Sequence, residues 1–277
     1  MKIEFCKMNG AANDFVMVDN RDGRLALPAP AVRTLCDRRR GVGSDGLILI
    51  ECADGYDFFM RYYNPDGSPE VMCGNGARCA AWFAASLGQG KHGPDAVSIR
   101  FMTGSGAIDA VVAGERVSMS MMDARGMRQD LSTRVAPKGA AVHFMVVGTR
   151  HAVVPMEDVT SLTADEVVEF GRALRGDPAF APEGANVNFA SIAPDGRVFL
   201  RTYEKGVEAE TLACGTGSVA SAVIFAHQGR LRSPVRVVQR SGDELVISFD
   251  PCATGAEHVR MEGPVAVNFR GWADIQV

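Results

Sequence analysis

Two cysteines stand in matching surroundings. Cys73-Gly74-Asn75-Gly76-Ala77-Arg78 and Cys214-Gly215-Thr216-Gly217-Ser218-Val219 each set a thiol at the end of an extended run and follow it with Gly-x-Gly. Each then opens an apolar segment of helical character, Cys79 to Leu87 and Ala220 to Gln228, closed by Gly88 or Gly229. A helix N-terminus carries unpaired N–H groups and about half a positive charge, so it favours thiolate over thiol and also holds a carboxylate. One such cysteine with a base beside it would suggest a nucleophile for acyl transfer. A matched pair suggests inversion of an amino-acid stereocentre: one group removes the α-proton from one face and the other, held across a cleft, returns a proton to the opposite face. A lone cysteine before a helix reads as a small buried hydrophobe; the repetition changes that reading.

The remaining elements must position this pair. Lys2 to Cys6 and Phe15 to Asp19 read as strands around the polar loop Asn9 to Asp14, Pro30 opens a short helix to Cys36, and Arg38-Arg39-Arg40 reads as a solvated helix end. Leu47 to Cys52 and Asp57 to Tyr63 form a hairpin, and Asn64-Pro65-Asp66-Gly67 is a turn. Strands resume at Val97 to Met102, Ala107 to Val112 and Arg116 to Met122, and Asp123 to Gly139 is the expected linker. Beyond it, Gly10 to Val16 aligns with Gly148 to Val154, Arg61 to Asn64 with Arg201 to Glu204, and Cys73 with Cys214, at offsets of 138, 140 and 141 residues. Landmarks that drift so little argue for duplication. A helix from Ala164 to Leu174, announced by Thr163-x-x-Glu166, takes the place of the Pro30 helix.

The expected fold is therefore α+β, with two pseudo-symmetric halves. Each half is a curved, mostly antiparallel, barrel-like sheet wrapped around a central helix, with the active site in the cleft between them. The expected boundaries are 1–123 plus 264–277 for the Cys73 half and 124–263 for the Cys214 half. In this alignment His151 and Glu204 occupy the repeat positions of Asn13 and Asn64, so they are the candidates that help one thiol lose its proton.

Composition bounds the function. A chain of 277 residues with a net charge of −4 gives no support for nucleic-acid binding. No run approaches the roughly 18 apolar residues of a membrane helix, and Glu4 interrupts the start where a signal peptide would stay apolar, so cytoplasm is expected. The seven cysteines lack metal-ligand or disulfide spacing.

At Lys7-Met8-x-Gly10-x-x-Asn13-Asp14-Phe15, Arg61-Tyr62-Tyr63-Asn64-Pro65-Asp66-Gly67, Met72-Cys73-Gly74-Asn75-Gly76, Asn186-Val187-Asn188-Phe189 and Glu208 to Gly217, the sequence resembles the diaminopimelate epimerases, cofactor-independent enzymes of lysine and cell-wall precursor synthesis. The resemblance implies Cys73 and Cys214 as the acid/base pair, interconversion of LL- and meso-2,6-diaminopimelate without pyridoxal phosphate or metal, and a homodimer. It implies substrate contacts from Asn13, Asn64, Asn188 and Glu204, with the α-carboxylate on the amides of Gly74-Asn75 and Gly215-Thr216. This chain departs from the family's Gly-Asn-Pro-His, reading Gly148-Thr149-Arg150-His151, and from its Glu-Arg-Gly, reading Glu204-Lys205-Gly206. In the family those positions grip the far end of the substrate, so the resemblance makes Thr149, Arg150 and Lys205 candidate specificity residues, with Arg150 a candidate second carboxylate contact. The alternatives are a related cofactor-independent racemase of another amino acid and, from another class, a Cys73/Cys214 thiol redox switch.

Overall fold

The structure is a computed structural model that describes residues 1–135 and 139–275. It divides into two compact units, Met1–Met119 with Gly263–Val277, and Ser120–Glu262.

In the first unit, with strands numbered in chain order, the sheet contains β1 (Lys2–Gly10), β2 (Asn13–Asp19), β3 (Gly46–Glu51), β4 (Phe58–Tyr63), β7 (Val97–Thr103), β8 (Gly106–Ala113), β9 (Arg116–Ser120) and the returning β19 (Ala266–Asp274). Their spatial order is β19-β1-β2-β3-β4-β7-β8-β9, antiparallel except for β2–β3 and β4–β7. Two short strands, β5 (Pro69–Glu70) and β6 (Lys91–His92), flank β4 and β7. Helix α1 (Ala29–Cys36) carries the parallel crossover from β2 to β3, and α2 (Gly74–Ser86) the one from β4 to β7.

Strands β2 and β3 are buried on both faces, which is why they read as continuous apolar runs rather than alternating ones. Val16, Val18, Leu47 and Leu49 pack with Val32 and Leu35 of α1. The sheet curves around α2, which packs against β1, β2, β3, β4, β7 and β8. Its buried positions Ala77, Ala80, Ala81 and Ala84 are small enough for strands to close in from several sides.

The second unit repeats the plan. Strands β10 (Arg125–Arg128), β11 (His143–Val147), β12 (Thr149–Pro155), β13 (Asn186–Ile192), β14 (Val198–Glu204), β16 (Val235–Val238), β17 (Glu244–Cys252) and β18 (Gly255–Pro264) lie in that spatial order, with β12–β13 and β14–β16 parallel. The short β15 (Ala209–Thr211) flanks β14. Helix α3 (Ala164–Arg175) stands where α1 does, and α4 (Gly215–His227) where α2 does. The capping box at Thr163 and Glu166 forms as expected. The expected linker instead contains β10, which pairs with β11 as β19 pairs with β1; residues 136–138 lie outside the described residues.

The ladders also fix the repeat register more closely than the sequence could. Leu49 pairs with Arg61 and Phe189 with Arg201, while Val18 pairs with Leu49 and Val154 with Phe189. Asn64 therefore matches Glu204, as aligned, but β2 matches β12 with an offset of 136 residues. Asn13 then matches Thr149, and His151 matches the buried Phe15. The alignment slipped by two residues because Gly10, which closes β1, was matched with Gly148, which is itself the turn, and because the two turns differ in length by one residue. In the first unit Ala11 and Ala12, at φ of 56° and 61°, separate Gly10 from Asn13, whereas Gly148 alone separates Val147 from Thr149.

Thr163→Ala removes the hydroxyl that accepts from Glu166 N–H and should lower stability by about 1 kcal/mol, read as a shift of the urea midpoint. An unchanged midpoint would mean that α3 does not depend on its cap.

Candidate active site

Both helices begin at the cysteine itself. Cys73 and Cys214 are the N-cap residues of α2 and α4, in extended conformation, and the Gly-x-Gly segments form the first helical turn rather than a turn before it. Close packing explains the glycines. A Cβ on Gly76 would stand 2.8 Å from Ile48 Cδ1 and 3.3 Å from the Phe15 ring, and one on Gly217 would stand 2.1 Å from Asn188 Oδ1.

In the first unit, Cys73 Sγ donates to Asn13 Oδ1 at 3.5 Å, and Asn75 Nδ2 donates to the same oxygen at 3.3 Å. Asn13 Nδ2 in turn donates to Asp45 Oδ2 at 2.8 Å, which fixes the end of the amide that meets the thiol. Asp45 belongs to an ionic group with Asp14, Lys7 and Arg38. Arg38 makes two bonds to Asp14, at 2.7 and 2.9 Å, and one to Asp45 at 2.7 Å, while Lys7 Nζ lies 2.7 Å from Asp14. Burial works against the Asp14 charge, but the hydrogen bonds from Arg38 and Lys7 outweigh it and hold this carboxyl far below the usual range. Arg38 stays exposed just past the end of α1, as expected for a solvated helix end, and is ion-paired there as well. Asn64 lies in its turn, with Nδ2 donating to Ser68 Oγ at 3.2 Å. Gly10 is needed beneath the site because a Cβ there would lie 2.9 Å from the Asn75 carbonyl oxygen.

In the second unit Cys214 is 5% exposed. Burial, then the charge and hydrogen bond of Glu204, push its thiol well above the ordinary range, against the pull of the Gly217 N–H and of Thr216, whose Oγ1 lies 3.7 Å from Sγ. The sequence reading expected the helix start to depress this thiol. Desolvation and a facing carboxylate outweigh it, so Cys214 rests as a thiol. Burial likewise raises Glu204, while the Cys214 hydrogen bond draws it back.

His151 is fully buried. Asn188 donates one N–H to the Ala152 carbonyl at 3.0 Å and the other to His151 Nδ1 at 3.0 Å, so the ring proton sits on Nε2. Thr202 Oγ1 donates to Asn188 Oδ1 at 3.0 Å, leaving the Asn188 side chain engaged on both ends. Burial lowers His151 from 6.5 to about 3, so the ring is neutral at physiological pH. Its role as a base is revised to that of a neutral hydrogen-bonding group. The matching positions of the first unit carry Phe15, Ile48 and Tyr62, with Phe15 edge-on to Tyr62 at 6.0 Å. A hydrogen-bonded polar triad thus lies under α4, where the first unit has two aromatic rings and an isoleucine.

Of the departing residues, Lys205 N–H donates to Asn186 Oδ1 at 2.8 Å, Thr149 opens β12, and Arg150 ion-pairs with Glu183 while its guanidinium lies 5.3 Å from the Phe144 ring centroid. Arg150 is therefore committed inside the unit, against the expectation that it supplies a second carboxylate contact. Asp45 and Thr202 were not singled out from sequence, Arg38 was read only as part of a solvated helix end, and only the Ser44-Asp45-Gly46 step into β3 could have hinted at Asp45.

The family model for diaminopimelate epimerase matches residues 5–126 and 143–267. The chain belongs to the diaminopimelate epimerase family. It is 40% identical to the diaminopimelate epimerase of Chlorobaculum tepidum over 95% of this chain and 98% of that one, and 38% identical to that of Aquifex aeolicus over 97% of each. Among solved structures, a hydroxyproline epimerase from Agrobacterium vitis aligns with a TM-score of 0.71 at 16% identity, covering 98% of this chain and 92% of that one. A PhzF-family phenazine biosynthesis protein from Bacillus anthracis aligns with a TM-score of 0.74 at 13% identity, covering 99% and 100%. These two likenesses show a shared fold. Among the described residues no helix is long and apolar enough to cross a membrane.

For this family member, the His151 ring signals should not titrate between pH 8 and 5 in an NMR series. Because the folded-state value is depressed below the unfolded one, the neutral ring favours folding above pH 6.5 and loses about 1.4 kcal/mol per pH unit on acidification toward pH 3. His151→Gln should flatten that part of the stability profile. A ring titrating near 6.5 would contradict the buried, neutral assignment.

Proposed function

We propose that this chain interconverts LL- and meso-2,6-diaminopimelate by two-base proton transfer, with Cys73 and Cys214 as acid and base on opposite faces of the α-carbon. The observation that carries this reading is the pair of N-cap thiols at α2 and α4 in a member of this family. A thiolate at one cap takes the α-proton as the thiol at the other delivers one, and the roles exchange in reverse. Asn13 Oδ1 orients the Cys73 proton, and Glu204 receives the Cys214 proton when that thiol must act as base.

The helix-start amides at Gly74-Asn75 and Gly215-Thr216 take the α-carboxylate. Asn64 contacts the substrate, Thr149 and Lys205 serve its far end, and Asn188 orients His151 through its hydrogen bond to Nδ1. The chemistry calls on the two thiols alone as acid and base, with no cofactor, and a reducing cytoplasm keeps them reduced. The domain assignment that goes with this reading remains 1–123 plus 264–277 for the Cys73 half and 124–263 for the Cys214 half. We place a homodimer contact on β19, where Phe269 and Trp272 are 49% and 65% exposed and, among the described residues, only β1 pairs with the strand.

Pure LL-diaminopimelate incubated with the reduced protein should yield the meso isomer, and Cys73→Ser or Cys214→Ser should each lower turnover by about a thousandfold. Full activity in either variant would contradict the two-base assignment. Lys205→Ala should raise KM by about tenfold, whereas Arg150→Ala, whose partner is Glu183, should leave KM within about twofold. The opposite pattern would move the far-end contact to Arg150. If only another amino acid loses optical purity, the related-racemase reading replaces this one.

A further inference from the structure

Cys214 is held on both sides by a buried side chain that has no place in the motifs above. Gln239, 4% exposed, follows the last residue of β16. Its Oε1 accepts the Cys214 backbone N–H at 3.0 Å, and its Nε2 donates to Ser218 Oγ at 2.8 Å. Ser218, fully buried on α4, donates its hydroxyl to the Cys214 carbonyl at 2.8 Å, and its own N–H reaches the same carbonyl at 3.0 Å.

The side-chain bonds close a ring from Cys214 N–H through Gln239 and Ser218 back to Cys214 C=O. The polarity of each link is forced. The Cys214 N–H can only donate, so Gln239 must present its oxygen to it. The amide nitrogen then faces Ser218, which accepts from it and directs its hydroxyl proton to the carbonyl.

The other unit lacks these parts. The ladder pairings that match Phe58 to Val198 and Phe101 to Val237 put Thr103 at the place of Gln239, and the cysteine offset puts Ala77 at that of Ser218. Ala77 has no hydroxyl. The Thr103 hydroxyl is engaged with the Gly106 carbonyl at 2.8 Å and with Ser105 Oγ at 3.0 Å. The same ring cannot be built from those positions, so the clamp is a property of the Cys214 side. That side also holds the thiol in the tighter place, since Cys73 is only half-buried.

We propose that Gln239, working through Ser218, is a positioning residue for Cys214, fixing the peptide on either side of the thiol so that Sγ stays against Glu204 and the Gly217 N–H. Proton transfer between sulfur and carbon falls steeply with misplacement, by about a hundredfold for 1 Å. An N-cap residue in extended conformation, at φ −133° and ψ 103°, has no helical hydrogen bond at its own N–H to hold it there. The kinetic consequence rests on the two-thiol epimerase reading; the hold on the thiol does not.

Two readouts test the clamp in the whole protein: the iodoacetamide alkylation rate of Cys214 relative to Cys73 in the same chain, read by mass spectrometry, and kcat and KM with LL-diaminopimelate. Gln239→Leu keeps side-chain bulk and removes both bonds. It should raise the Cys214:Cys73 alkylation ratio by about tenfold and lower kcat by about tenfold, with KM within about twofold. Ser218→Ala, which leaves the Gln239–Cys214 bond in place, should move both in the same direction by less.

A ratio and a kcat both within about twofold of wild type in Gln239→Leu would overturn the proposal. So would a fall in kcat with an unchanged ratio, because the thiol would then be held without the clamp. If Gln239→Leu does not fold, Ser218→Ala and Gln239→Glu decide by the same readouts, and wild-type values in both overturn it. Should the wild-type protein fail to turn over diaminopimelate, the epimerase reading fails, while a raised alkylation ratio in Gln239→Leu still upholds the clamp.

Discussion

The chemistry on either side depends on how closely the first turn of a buried helix can approach the strands beneath it. Gly76 and Gly217 permit that approach, since any side chain at either position would collide with Ile48 and Phe15 or with Asn188. Seated this deeply, each helix presents its N-cap residue with the first-turn amides beside it, and in both units that residue is cysteine. The sheets, crossover helices and small alanines of α2 follow from the need to surround a helix on several sides while leaving its N-terminus for chemistry.

What lies under the two helix starts makes the thiols inequivalent. Phe15 and Ile48 lie against the first turn of α2, and the polar partner of Cys73, Asn13, arrives from the start of β2, held by Asp45 within the Lys7, Asp14 and Arg38 ion group. His151, Asn188 and Thr202 give α4 a polar floor, and Glu204 faces the Cys214 thiol directly. One thiol therefore lies next to a neutral amide and the other next to a carboxylate. Such a difference suits a reaction whose two isomers, LL and meso, are themselves not mirror images.

Much of this was legible in the sequence because it is local. The cysteine-Gly-x-Gly segments, the capping box at Thr163 and the turn at Asn64-Pro65-Asp66-Gly67 each declare themselves within a few residues. The ionic group around Asp14 did not, since Lys7 is brought in by the antiparallel pairing of β1 with β2, and Asp45 by the parallel pairing of β2 with β3. Nor could a single sequence show that Gly10 closes its strand while Gly148 is itself the turn, or that Ala11-Ala12 makes one hairpin a residue longer, the two differences that moved His151 out of register with Asn13. Arg150 looked available because its partner, Glu183, lies in a distant loop. Gln239 carries no motif at all, and only its fold places it against Cys214.

The central claim is that two different groups handle the two protons. It is tested most directly by running the reaction from LL-diaminopimelate in deuterated water and comparing product with recovered substrate at early conversion. Two-base transfer predicts deuterium at the inverted centre of the meso product and essentially none in the recovered LL isomer. Equal deuterium in both would show that a single group removes and returns the proton, and would contradict the account.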